Sequence, residues 1–261
     1  MCLILFSYKT HPRYKLIIAG NRDEFYARPT KPADYWEDHR EIMAGRDMEA
    51  MGTWMGMNTK SGDMAMLTNY RDLANLKSVA PSRGSLVSDF LINDSFPEEY
   101  YEALRPTLSE YNGFNLVLGS PDSLSYFSSE FNGLKSLAPG IYGLSNALMN
   151  SPWPKVQKGK MKIEAITEER HFEVEHLFEA MRDDELADDK HLPDTGVGLE
   201  KERMLSPMFI KSPQYGSRCT TVILVDNQDK VLYAERTYDT ATFEYETKYH
   251  KFKIGESYAI I

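Results

Sequence analysis

Strand-like segments stand at both ends of this chain and helix-like segments fill its middle, an order that leaves few folds open. Residues 2–8 form an apolar strand, and His11-Pro12-Arg13 turns the chain. Residues 14–19 are short and rich in isoleucine, and Gly20-Asn21 bounds them, as expected of a hairpin partner. Residues 52–57 and 63–68 read as a second hairpin around Lys60-Ser61-Gly62-Asp63. At the far end, residues 220–225, 231–238 and 242–249 read as strands. In the middle, Leu86, Val87, Phe90 and Leu91 recur at helical spacing. Ser95-Phe96-Pro97-Glu98-Glu99 supplies a cap, a proline and acids for a second helix. Residues 115–119 and 124–128 pair as strands, and 141–144 is another. Residues 153–169 are helical, and Val174, Leu177, Phe178 and Met181 form an i, i+3, i+4, i+7 stripe. Two stretches read as loops: residues 22–47, long and ordered, and 183–205, exposed, with a short helix over 198–204. Strands enclosing helices suit an α+β layered domain better than alternating βαβ units, and residues 1–261 are read as one domain.

The formal charge of -9, from 39 acidic and 30 basic residues, argues against nucleic acid or an anionic membrane as a general partner. No apolar run approaches the ~18–20 residues of a membrane span, and Leu3 to Phe6 is too short for a signal peptide. A cytoplasmic protein without integral membrane association is expected. Two cysteines, Cys2 and Cys219, cannot build a disulfide framework or a paired Cys-x-x-Cys zinc site. His11, His39, His171, His176, His191 and His250 show no ligand spacing. No metal and no cofactor is expected. Cys219 lies inside a strand and reads as an inert buried thiol. Trp36, Trp54, Trp153 and the 13 methionines read as core.

Chemistry is suggested first by Cys2. A small residue at position 2 normally lets Met1 be removed, which leaves Cys2 with a thiol and a free α-amine. That amine titrates near ~7.7–8.0 and can serve as a base. An adjacent base generates the reactive thiolate. This is the chemistry of an N-terminal nucleophile (Ntn) hydrolase. Polar side chains also gather at strand ends: Asn21-Arg22-Asp23-Glu24, Arg46-Asp47, Asn69, Asn146 and Arg218. Asparagine amides can donate to a developing oxyanion. Arg and Asp near an amine set its protonation.

Met1-Cys2-Leu3-Ile4, Asn21-Arg22-Asp23-Glu24, Gly45-Arg46-Asp47, Gly52-Thr53-Trp54-Met55-Gly56, Leu67-Thr68-Asn69-Tyr70-Arg71, Ser82-Arg83-Gly84 and Tyr215-Gly216-Ser217-Arg218 occur in this order. Together they resemble the NRDE family, also called transport and Golgi organisation 2, from the first residue to about Glu235. The resemblance implies an Ntn-hydrolase-like four-layer α/β/β/α sandwich. Eukaryotic members of the family this chain resembles are linked to secretory organisation, mitochondrial lipid metabolism and haem trafficking. A more distant resemblance, to choloylglycine-type amidohydrolases, rests on Cys2, the polar block after the second strand, Leu144-Ser145-Asn146 with Ser151-Pro152, and Tyr215-Gly216-Ser217-Arg218. It implies Cys2 as nucleophile and base, Asn146 as oxyanion donor, Asn69 as second donor and Arg218 as the late arginine. The arginine does not directly follow Gly20 as in that pattern. Arg22 and Asp23 stand in for the usual pair, with Glu24 the alternative acid. The leading expectation is hydrolysis of a non-peptide C–N amide bond in a small or acyl substrate. The alternative is a non-catalytic carrier of haem or an acyl lipid.

Overall fold

The computed structural model describes residues 2–93 and 95–256. The expected loss of Met1 falls outside these residues. In chain order the strands begin β1 (Cys2–Tyr8), β2 (Tyr14–Phe25), β3 (Thr30–Tyr35), β4 (Ile42–Asp47), β5 (Met55–Asn58) and β6 (Met64–Asn69). Helices α1 (Gly84–Asn93) and α2 (Pro97–Leu104) precede β7 (Phe114–Ser120), β8 (Ser123–Ser128), β9 (Lys135–Ser136) and β10 (Gly140–Leu144). Helices α3 (Pro154–Glu168), α4 (Val174–Met181) and α5 (Leu199–Met204) lead into β11 (Tyr215–Asp226), β12 (Lys230–Tyr238) and β13 (Tyr245–Lys253).

Two antiparallel sheets result, ordered β10-β1-β2-β11-β12-β13 and β3-β4-β5-β6-β7-β8-β9. Side-chain alternation explains how they stack. Cys2, Ile4, Phe6 and Tyr8 of β1 join the core between the sheets, while Leu3 and Leu5 join the core beneath α3 and α4. A strand buried on both faces needs a continuous apolar run, which β1 supplies. The second sheet repeats the pattern. Met55, Met57, Met64 and Met66 face the inter-sheet core, and Ala65, Leu67, Leu116 and Leu118 face α1 and α2. Methionine adapts to irregular gaps, and here it fills the space between sheets. The chain is thus an α+β sandwich with helices on both outer faces.

Residues 22–47 are not a loop. β2 continues to Phe25, and β3 and β4 occupy much of the remainder. β3 escaped detection because it is polar and carries Pro32, which an edge strand tolerates. The last strand starts later than expected. Asp239 accepts the Ala241 and Thr242 backbone N–H groups and holds a turn there. Phe96, not Ser95, is the N-cap of α2.

One close backbone contact explains two of the sequence blocks. A Cβ built on Gly52 would lie 2.5 Å from the Gly84 carbonyl carbon, so the turn after β4 packs directly on the start of α1. Gly52→Ala is expected to cost about 1–3 kcal/mol by overpacking, read from the urea midpoint. A change under half a unit of that scale would mean the contact opens freely.

Candidate active site

The ends of the central strands meet at one cleft of about 470 Å³, a size suited to a small molecule. Cys2 pairs with Arg22 across β1 and β2, and Arg22 pairs with Cys219 across β2 and β11. Three side chains therefore stand in a row on one face. Cys2 is 8% exposed. Burial pushes its thiol up, and Asp23 adds to this. Arg22 and a hydrogen bond from the Asp23 backbone oppose the rise.

Arg22 reaches Asp47 at 3.9 Å and Glu24 at 4.0 Å. Asp47 organises that wall: it accepts Arg28 Nε at 2.7 Å and the Glu49 backbone N–H at 2.9 Å. Asp23 follows the opposite alternation and is 1% exposed, accepting the Ser217 hydroxyl at 2.6 Å. A β-bulge between Ser217 and Cys219 sets Arg218 out of register. Such a bulge re-aims a side chain. Arg218 donates to the carbonyls of Phe25 and Arg28 at the cleft wall. Arg83 also lines the cleft and donates to the Gly113 carbonyl. Burial lowers the pKa of both guanidiniums.

Cys2, Arg22, Asp23, Glu24, Asn69 and Arg218 all line this cleft. Asn146 does not. It is 1% exposed and sits one step behind the wall, its amide donating to the Asn69 carbonyl at 2.9 Å. Its neighbour Ser145 donates to the Cys2 carbonyl at 3.3 Å. Of these two asparagines, Asn69 is therefore the one at the cleft and Asn146 its support. Cys219 is buried but not in apolar surroundings. It lines the same cleft and hydrogen-bonds Glu235. Burial and the Glu235 charge push its thiol well above the usual range.

Sequence reasoning placed Asp47 in a polar strand-end pair but did not single out Arg83, Glu235 or Lys155. Arg83 and Asp47 lay in recognised blocks, and Lys155 had a signal of another kind, a charge on an apolar helix stripe. Among the described residues no cluster of three or more metal-ligating side chains occurs, and no helix is long and apolar enough to cross a membrane.

Fold and cleft define a class: an α+β sandwich protein with a cysteine-centred polar pocket at its strand ends. The chain belongs to the transport and Golgi organisation 2 family, whose profile matches residues 1–240. It is 35% identical to the transport and Golgi organization protein 2 homolog of Homo sapiens, over 97% of this chain and 99% of that one. The Bos taurus homolog is also 35% identical, with the same coverage. The Drosophila melanogaster protein is 31% identical, over 91% of this chain and 92% of its own.

Proposed function

We propose that this cleft is the active site of an N-terminal-cysteine hydrolase on an Ntn-hydrolase-like single domain, cleaving a linear, non-peptide C–N amide of a small or acyl substrate. The observation that carries the reading is Cys2 at the cleft end of β1, paired with Arg22 and hydrogen-bonded by the Asp23 backbone. Once Met1 is removed, the Cys2 amine takes the thiol proton and the thiolate attacks the carbonyl carbon. The Asn69 amide, held by Asn146, donates to the oxyanion. The C–N bond breaks as the leaving amine takes a proton, and a thioester remains. Water then attacks the thioester, releasing the carboxylic acid and restoring the thiol. Arg83 and Arg218 favour a substrate that carries an anionic group.

A carrier of haem or an acyl lipid is the second reading. It is favoured by the burial that keeps the Cys2 thiol protonated.

The first test is labelling by iodoacetamide at neutral pH, read by peptide mass. Cys2 is expected to react before Cys219, because Arg22 and the Asp23 backbone favour its thiolate while Glu235 disfavours that of Cys219. Intact mass should show a chain starting at Cys2. A small acyl thioester should then acylate Cys2 and turn over. Preferential labelling of Cys219, or a retained Met1, would remove the self-activated nucleophile.

A further inference from the structure

Arg22, Arg28, Lys31, Arg46, Arg83 and Arg218 line the cleft, and four of these cations already face carboxylates. Arg28 pairs with Asp47 at 2.7 Å and with Glu49 at 3.2 Å. Arg46 pairs with Asp38 at 2.5 Å and Lys31 with Glu37 at 3.4 Å. Arg22 lies between Glu24 and Asp47. Glu24 is itself engaged, one oxygen accepting the Phe25 N–H at 2.8 Å and the other facing Arg22. Arg83 and Arg218 have no ion pair among the described residues, and both donate to backbone carbonyls. Lys155, 3% exposed on α3, donates to the Leu205 carbonyl at 2.9 Å and does not line the cleft. A guanidinium has five N–H donors and can hold a carboxylate with two of them. A half-buried one without its own carboxylate is suited to pair with an anion that a ligand brings.

Arg83 is held beside the oxyanion donor. Its Nη1 donates to the Gly113 carbonyl at 3.0 Å, and the same carbonyl accepts the Tyr70 backbone N–H at 2.8 Å. Tyr70 directly follows Asn69, the last residue of β6. One carbonyl thus ties the guanidinium to the residue next to Asn69. Gly113 permits this approach, since a Cβ there would lie 3.0 Å from the Tyr70 carbonyl oxygen. Asn112 is fixed as well, its side chain bonded to the N–H and the carbonyl of Lys77. From the other direction, Gly84 packs on Gly52 directly after Arg83. The wall that carries Arg83 is therefore organised before a ligand arrives, which lowers the cost of binding. Arg218 stands on the other sheet, next to Cys219, and donates to the Phe25 and Arg28 carbonyls.

We propose that Arg83 determines the specificity of the cleft by holding a carboxylate that lies only a few bonds from the scissile carbonyl. With the oxyanion at Asn69, a group bound by Arg83 must be close to the bond that breaks. Two kinds of short amide share this chemistry. An N-acyl amino acid carries the carboxylate on its leaving amine, and a dicarboxylic acid monoamide carries it on its acyl half. An amide whose only charge stands at the far end of a long chain does not satisfy Asn69 and Arg83 together. This assignment rests on the hydrolase reading for the bond that breaks, whereas the charge preference at Cys2 holds with or without turnover.

The preference is read first by alkylation of the full-length chain at neutral pH. Iodoacetate and iodoacetamide differ only in a carboxylate or an amide next to the carbon that the thiolate attacks. The ratio of their rates at Cys2, followed by peptide mass, should exceed the ratio for free cysteine. Arg83→Gln keeps a donor for the Gly113 carbonyl without the charge and should lower the Cys2 ratio about tenfold, the worth of one charge-assisted hydrogen bond. Arg218→Gln should lower it less, and Arg83→Lys, which keeps the charge, should retain most of the preference. A second measurement needs no variant and decides the matter if Arg83→Gln fails to fold. N-acetylglycine or succinamate should slow iodoacetamide labelling of wild-type Cys2, while the uncharged N-acetylglycinamide and succinamide should not. Protection by N-acetylglycine places the carboxylate on the leaving amine, and protection by succinamate places it on the acyl half. An unchanged ratio in folded Arg83→Gln, an equal loss in Arg218→Gln, or protection by neither acid overturns the assignment. If the ratio falls and an acid protects but no amide is cleaved, only the hydrolase reading falls. If amides are cleaved equally well with and without the carboxylate, only the Arg83 assignment falls.

Discussion

Arg71→Met is expected to cost about 3–5 kcal/mol of stability, the loss typical of a buried ion pair deprived of one partner. Arg71 and Glu202 meet at 2.9 Å with each side chain only 5% exposed. Arg71 also donates to Thr195 Oγ1 at 3.1 Å and lies 5.1 Å from the Trp153 ring centre. Glu202 accepts from the Thr195 backbone at 2.9 Å. Removing the guanidinium leaves a buried carboxylate whose remaining hydrogen bonds, among the described residues, come from Thr195. Arg71→Met combined with Glu202→Met removes both charges and should recover more than half of the loss. Urea midpoints of the two variants decide the matter. Equal costs would mean that the pair acts through packing alone. The site should respond too, because the Arg71 backbone N–H donates to the Asn146 carbonyl at 2.8 Å.

Asn69→Ala is expected to lower kcat by about 10²–10³ with little change in substrate binding, as expected when one oxyanion donor is lost. Asn146→Ala should do less, since its amide reaches the Asn69 carbonyl rather than the cleft. Cys2→Ser keeps the shape and the amine but replaces the thiol with a far less acidic hydroxyl. Turnover should vanish while ligand binding persists. A carrier gives another pattern: Asn69→Ala is then nearly silent in turnover assays and alters only affinity. The ligand for these measurements is found by screening acyl amides and haem for a rise in melting temperature. Should haem alone raise melting while no amide is cleaved, the hydrolase reading is abandoned.

The sequence was most readable where one physical rule governed a segment. The apolar run of β1, the methionine hairpin of β5 and β6 and the stripe of α4 matched their periods. Legibility failed where polar residues continue a buried strand. Asn21 to Glu24 read as a strand end because polar residues rarely continue a buried strand, yet they lie within β2. Alternation divides them, with Arg22 beside Cys2 and Asn21 bonded to the Met181 and Met208 carbonyls under the helices. Cys2, Arg22, Asp23, Asn69 and Arg218 could be named as candidates from sequence, and they line one cleft. The order of Asn69 and Asn146 could not, because it depends on a single carbonyl contact between distant segments. Lys155 was hidden by habit: a lysine in a helix is ordinarily solvated.

The ladder through Arg22 also fixes what oxidation can do here. Cys2 and Cys219 sit on strands either side of β2, each opposite Arg22. Two inter-strand spacings of about 4.7–4.9 Å place their Cα atoms roughly 9–10 Å apart. A disulfide needs Cα atoms within about 7 Å. The sheet thus holds two thiols in one cleft and forbids their union. An oxidant entering the cleft must modify each sulfur singly, to a sulfenic acid or to a mixed disulfide with a small thiol. Either product is reversible by external thiols.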